Sequence, residues 1–224
     1  MVRQKKVLCM VAIMFVIPCR TIASAENTDD ENLHHCVGAT GELTSGTTWQ
    51  LEASYHWFPI RYVGIGASVG FWKQIGSDYI SSAKGWRVRE DSQNVMNGFV
   101  MPSLILQTPA LVKTEDLSVG LMAEPGMMFN IPYDKVYIEH TNDKGIPIAD
   151  NKISYHDSSW LALNFRIGIY AKFDRISLTL GYVCTNLDIY AMRRKMQYDN
   201  VKLGDFYPKR KNHGGAFLRV SYLL

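Results

Sequence analysis

The chain has 224 residues, of which 47% are hydrophobic, 12% aromatic and 20% charged, with a formal net charge of +3. Four of its 24 basic residues (Arg3, Lys5, Lys6, Arg20) fall in the first 25 positions and no acidic one does, which leaves 20 against 21 and a net −1 beyond them. That balance argues against nucleic acid as a partner. No apolar run after residue 25 approaches the ~20 residues that a transmembrane helix needs.

Residues 1–25 read as an export signal: a basic start, an apolar run from Val7 to Cys19, and Ala23 and Ala25 at an A-x-A cleavage site. Residues 26–32 form a polar lead, and 33–224 read as one domain. Cys36 and Cys184 remain after cleavage. They fall on strands that are not neighbours in the order below, so free thiols are expected.

The apolar period from there on is 2 rather than 3.6. Residues 33–44 make a weak first strand. In 49–57, Trp49, Leu51, Ala53, Tyr55 and Trp57 alternate with Gln50, Glu52, Ser54 and His56. Residues 61–71 repeat the pattern, 97–107 are strand-like without a clean phase, and 117–129 alternate again. The segment 160–173 is the clearest: Leu161, Leu163, Phe165, Ile167, Ile169, Ala171 and Phe173 oppose Ala162, Asn164, Arg166, Gly168, Tyr170 and Lys172. Residues 176–185 and 216–224 complete about eight strands. Pro102 and Pro125 mark bulges or breaks in the fourth and fifth, since proline cannot donate to a ladder. The links at 58–60 and 173–175 are tight and that at 108–116 is moderate, whereas 73–96, 130–157 and 190–213 are long and polar. Apart from the short link at 45–48, long and short connections fall on opposite ends.

With no spanning helix, only a closed barrel lets such a chain cross a lipid layer with every backbone group paired. The apolar row then faces outward, with Trp57, Phe173 and Tyr222 at one interface and Phe71 and Phe129 at the other. The opposite row carries Glu52, Glu124, Arg166, Lys172 and Arg219, an expected charge network inside the barrel. Equal spacing from the turns puts Glu124 and Arg166 at one height. The last strand, Gly-Gly-Ala-Phe-Leu-Arg-Val-Ser-Tyr-Leu-Leu, resembles the C-terminal signal read by outer-membrane assembly machinery, although that family most often ends in Phe. Together with the leader and the loop asymmetry, the chain resembles small outer-membrane β-barrel proteins of Gram-negative bacteria. The resemblance implies an all-β, antiparallel up-and-down transmembrane barrel in the outer membrane, with membrane lipid, lipopolysaccharide and the assembly machinery as partners.

Residue patterns for catalysis are thin. Glu52, Ser54 and His56 share a strand face, but inside a narrow barrel they read as a hydrogen-bonded set. His156-Asp157-Ser158 is dense, yet neighbours in an extended chain point apart. His34, His35 and Cys36 lack a second ligand cluster at zinc-like spacing. No phosphate-binding glycine motif occurs, and neither metal nor cofactor is expected. The last long loop is basic: Arg193, Arg194, Lys195, Lys209, Arg210 and Lys211 suit an anionic partner such as a lipopolysaccharide phosphate. About eight strands leave room only for side chains, so no open pore is expected. The reading is a structural or surface-interaction barrel that anchors long external loops, with an extracellular or periplasmic partner that the sequence does not name. The alternatives are an outer-membrane lipid-modifying enzyme and a soluble, lipocalin-like periplasmic binding barrel.

Overall fold

A computed structural model describes residues 35–76, 82–83, 85–209 and 212–224. The leader at 1–25, the polar lead at 26–32, His34, Arg210 and Lys211 lie outside the described residues. Eight strands close into one antiparallel barrel: β1 (His35–Thr44), β2 (Thr48–Ile60), β3 (Val63–Gln74), β4 (Met96–Gln107), β5 (Ser118–Asn130), β6 (Leu161–Phe173), β7 (Ile176–Thr185) and β8 (His213–Leu223). Each pairs with the next, and β8 returns to β1 from Cys36↔Leu223 to Thr44↔Gly215, so the sheet has no open edge. Strand lengths of 10–13 residues meet the roughly 9–11 that a tilted strand needs to cross a bilayer.

The up-and-down order puts three links at one end of the barrel. They are Ile60 to Val63, Gln107 to Ser118 (which carries the short strand Val112–Lys113) and Phe173 to Ile176. The last is a two-residue turn with Asp174 at φ 50°, in the left-handed region that Asp tolerates and such hairpins require. The ends of β1 and β8 nearest the chain termini lie there too. The opposite end, called here the loop end, carries the short link 45–47 and three long segments at 75–95, 131–160 and 186–212.

Alternation decides what each face meets. Leu161, Leu163, Ile167, Ile169 and Phe173 of β6 are exposed, while Ala162, Asn164, Arg166, Gly168 and Tyr170 are buried. The same parity makes Leu51, Val69, Val100, Leu121, Leu180 and Val220 exterior and Glu52, Ser68, Met101, Glu124, Thr179 and Arg219 interior. The barrel is thus apolar outside and polar at its centre, the reverse of a soluble barrel, and hydrocarbon rather than water is the fitting solvent for its wall. Exterior aromatics gather in two bands. Phe71, Phe129 and Tyr182 lie toward the loop end, and Trp57, Phe173 and Tyr222 toward the turn end.

Pro102 and Pro125 interrupt the β4–β5 ladder without shifting it. Phe99↔Asn130, Ser103↔Gly126 and Gln107↔Met122 hold one register, with gaps at the positions around the two prolines. Of the two expected outcomes, the break applies and the bulge does not.

The long segments are not simply polar loops. Tyr133–Thr141 and Pro147–His156 form a hairpin that joins Trp86–Val88 and Ser82–Ala83 in a four-stranded sheet. Trp86, Ile138, Tyr190, Met192 and Tyr207 pack there in an apolar core continuous with Trp72, Met128 and Trp160 at the barrel mouth. Alternation there is confined to short runs such as Trp86 and Val88 or Val136 and Ile138, too brief among polar residues to mark the cap in the sequence.

Backbones approach closely where Gly168 faces Gly181 beneath the Phe217 ring. A Cβ on Gly181 would lie 2.2 Å from the Ile167 carbonyl oxygen and 2.8 Å from the ring. Gly181→Val should therefore cost about 1–3 kcal/mol by overpacking, read as a lower denaturant midpoint of the detergent-solubilised barrel. Gly41→Val, whose Cβ meets nothing within 4 Å, should leave that midpoint in place.

Candidate functional site

The lumen holds three layers. Toward the turn end, Phe58, Ile105, Met122 and Tyr170 form an apolar plug, and Tyr170 donates its hydroxyl to the Thr108 carbonyl at 2.8 Å. Toward the loop end, Trp72 and Trp160 meet edge to face at 5.8 Å. Trp72 Nε1 donates to Asn130 Oδ1 at 2.8 Å.

Between them lies the charged layer. β6 and β5 are in register so that Arg166 stands opposite Glu124. The Arg166 guanidinium is fully buried. It donates to Glu52 Oε1 and Oε2 at 2.7 and 3.0 Å, to Glu42 Oε2 at 2.9 and 3.1 Å, and to Glu124 Oε2 at 3.4 Å. Arg219 donates to Glu124 Oε2 at 2.5 Å and, through Nε, to Thr40 Oγ1 at 2.9 Å. Gln50 and Ser68 each donate to Glu52 at 3.3 Å, and Ser103 donates to Glu124 at 2.9 Å. His56 Nε2 lies 3.5 Å from Glu124 Oε1. The layer so joins β1, β2, β3, β4, β5, β6 and β8, with three carboxylates and two guanidiniums buried across the bore. A fork of planar donors on several carboxylates is the arrangement that makes a buried guanidinium tolerable.

Four of the five residues expected in the interior network meet here: Glu52, Glu124, Arg166 and Arg219. Lys172 does not. It lies six positions further along β6, opposite Ser118 and Ser177 near the turn end, and joins no ion pair of the layer. Spacing along one strand gave its face, but its height takes it past the carboxylates. Glu42 was missed because the first strand is weakly patterned. Its parity with Gly38 and Thr40, against Val37, Ala39 and Leu43, was the available signal.

Other candidates are also placed. Ser54 donates to the Gly38 carbonyl at 3.4 Å, and His56 turns to Glu124, so no hydroxyl–imidazole bond forms between them. His156 packs on Tyr133 at 5.0 Å, while Asp157 pairs with Lys195 and accepts from Ser159 at 2.6 and 2.9 Å. His35 bonds Tyr55 at 2.6 Å. Cys36 and Cys184 are free thiols.

The basic stretch divides. Arg193 is buried and serves as a staple between segments. Its Nε donates to Asp134 at 3.1 Å, and its Nη1 and Nη2 to the Gln93 and Asn94 carbonyls at 2.6 and 3.1 Å. Arg193 is thereby corrected from a partner-facing to an inward, structural residue: a guanidinium has more donors than one carboxylate can take, and three segments of the cap surround it. Arg194 grips Asp188 at 2.6 and 2.9 Å and the Pro208 carbonyl at 3.2 Å. Lys195 and Lys209 are exposed at the surface. These residues border a cleft of about 270 Å³ at the loop end, whose lining includes Asp157, Trp160, Leu161, Asn186, Asp188 and Lys209.

No family model matches the chain, and no curated protein matches it in sequence. Among solved structures it is similar to the N-terminal β-barrel domain of Pseudomonas aeruginosa OprF, at 11% identity over 85% of this chain and 96% of that one, with a TM-score of 0.43. It is similar to Neisserial surface protein A at 10% identity over 85% and 96%, with a TM-score of 0.42. A third is the outer membrane enzyme PagL, at 11% identity over 84% and 99%, with a TM-score of 0.38.

Two outcomes follow from the charges. Arg166→Met leaves Glu42 without a cation and Glu52 and Glu124 with Arg219 alone, and removing one partner of a buried ion pair costs about 3–5 kcal/mol, so urea unfolding in detergent should move to a markedly lower midpoint. In the cap, burial pushes the Asp134 carboxyl above its ordinary value, and the neighbouring Arg193 guanidinium pulls the other way. With the folded value raised, stability linked to this group is complete below the unfolded value and declines as pH rises through the raised one. The protection of cap amides, taken relative to their intrinsic exchange rates, should accordingly fall across that interval, and Asp134→Asn should flatten the dependence.

Proposed function

We propose that this chain is a closed, non-conducting barrel of the outer membrane that holds a folded cap of loop segments at the cell surface for interaction with a partner outside. The observation that carries this reading is the Arg166 layer: buried carboxylates and guanidiniums bridge the bore while the outer wall is apolar. An apolar belt with aromatics at both borders supports a lipid surround, and short links at one end with long ones at the other support the outer membrane. The plug below and the cap above the layer leave the barrel's role to its outside and its rim. On this reading the wall meets membrane lipid and lipopolysaccharide, the barrel-assembly machinery inserts it, and the surface partner meets the cap.

Two measurements test the reading. The chain extracted from outer membranes should migrate faster on a gel unboiled than boiled, and in planar lipid bilayers it should give no stable conductance steps. A chain that stays monodisperse without detergent refutes the membrane setting, and a steady open channel refutes the closed bore.

A further inference from the structure

We infer that the cleft at the loop-end rim seats the phosphate of a membrane lipid headgroup, with the lipid's acyl part lying along the exterior row of β6. This inference deepens the reading above and rests on it.

The cleft is built on the barrel wall itself. Leu163 N donates to Asn186 Oδ1 at 2.6 Å and Asn186 N donates to the Leu163 carbonyl at 3.1 Å, which fixes its base to the loop-end tips of β6 and β7. Leu161, at its edge, is half exposed and begins the same outward row as Leu163, Ile167 and Ile169. One side of the cleft is thus continuous with the surface that hydrocarbon covers. The other side carries Arg194, Lys195 and Lys209 against Asp157 and Asp188, an excess of one positive charge.

The cations are not equally committed. Arg194 is held by both oxygens of Asp188. Its contact with the Pro208 carbonyl brings the next residue, Lys209, to the rim. Lys209 has no hydrogen-bond or ion-pair partner among the described residues. Lys195 pairs with Asp157, yet its side chain is 46% exposed while that of Asp157 is 17% exposed, and an ammonium has donors to spare for a second anion. Asp157 is itself fixed by the Ser159 backbone N–H and hydroxyl, so Lys195 is held by an immobile acceptor. Lys209, without a partner among the described residues, and the tethered Lys195 line one cleft at the edge of an apolar wall, which matches an amphiphile whose charge is a phosphate. Phosphate in solution gains nothing from Leu161, and an uncharged lipid gains nothing from the lysines.

The test is native mass spectrometry of the full barrel in neutral detergent, titrated with phosphorylated lipid A, with its dephosphorylated form and with inorganic phosphate. The phosphorylated lipid should bind best. Each lysine near a charged lipid surface is worth about fivefold in affinity, so Lys209→Gln should weaken binding roughly fivefold and the Lys195→Gln, Lys209→Gln double variant about twentyfold. Lys202→Gln, outside the cleft, should leave it unchanged. Equal retention of both lipid forms overturns the inference, as does wild-type affinity in the double variant or displacement of the lipid by inorganic phosphate at equal concentration. Heat-modified migration is read on every sample. A barrel that shifts on boiling but shows no phosphate preference loses the lipid site and keeps its membrane reading; a chain that does not shift loses both.

Discussion

A guanidinium withdrawn from water must be surrounded by carboxylates, and the barrel is organised around that demand at Arg166. Desolvating such an ion costs several kcal/mol before any pairing. Glu42, Glu52 and Glu124 offset this only if their strands arrive at the right height and with the right face inward. The constraint acts on register. A slip of one residue in β6 would turn Arg166 toward lipid and Ile167 inward, wrong on both faces at once. Strand pairing and interior electrostatics are therefore two expressions of one requirement.

The apolar content of the chain is divided between two surroundings. Leucine, isoleucine and valine dominate the outer wall, while Trp72, Trp160, Tyr170 and Met122 fill the two ends of the bore and Trp86, Tyr190 and Met192 the cap. The cap has a sheet of its own and shares one apolar core with the barrel mouth. Ordering segments of this length costs about 1–2 kcal/mol per residue in backbone entropy. Burial of Trp86, Ile138, Tyr190 and Met192 opposes that cost, and the Arg193 staple ties three segments where a hydrophobic contact alone would not fix direction.

Much of the barrel is legible from alternation, because sidedness in a strand is a local property. The row from Leu161 to Phe173, the facing Arg166, and the equal heights of Glu124 and Arg166 all come from counting by two and from distance to a turn. What alternation cannot carry is partner choice at long range. Glu42 lies 124 residues from Arg166, and nothing near either residue announces the other. Lys172 shows the opposite failure, with the correct face but a height beyond reach of the carboxylates. The rim cleft was half visible: the basic stretch stood out, but only folding separates Arg193, turned inward as a staple, from Lys195 and Lys209 at the surface.

The layer joins the chain's first barrel strand to its last. Thr40 and Glu42 belong to β1, and Arg219 to β8, and Arg219 lies 179 positions after Thr40. An unsealed sheet would hold carboxylates and guanidiniums apart in a medium that solvates neither. Completion of the cylinder is then close to all-or-none: half-finished intermediates are penalised by their own unmatched ions, and the final seam is where that penalty is discharged.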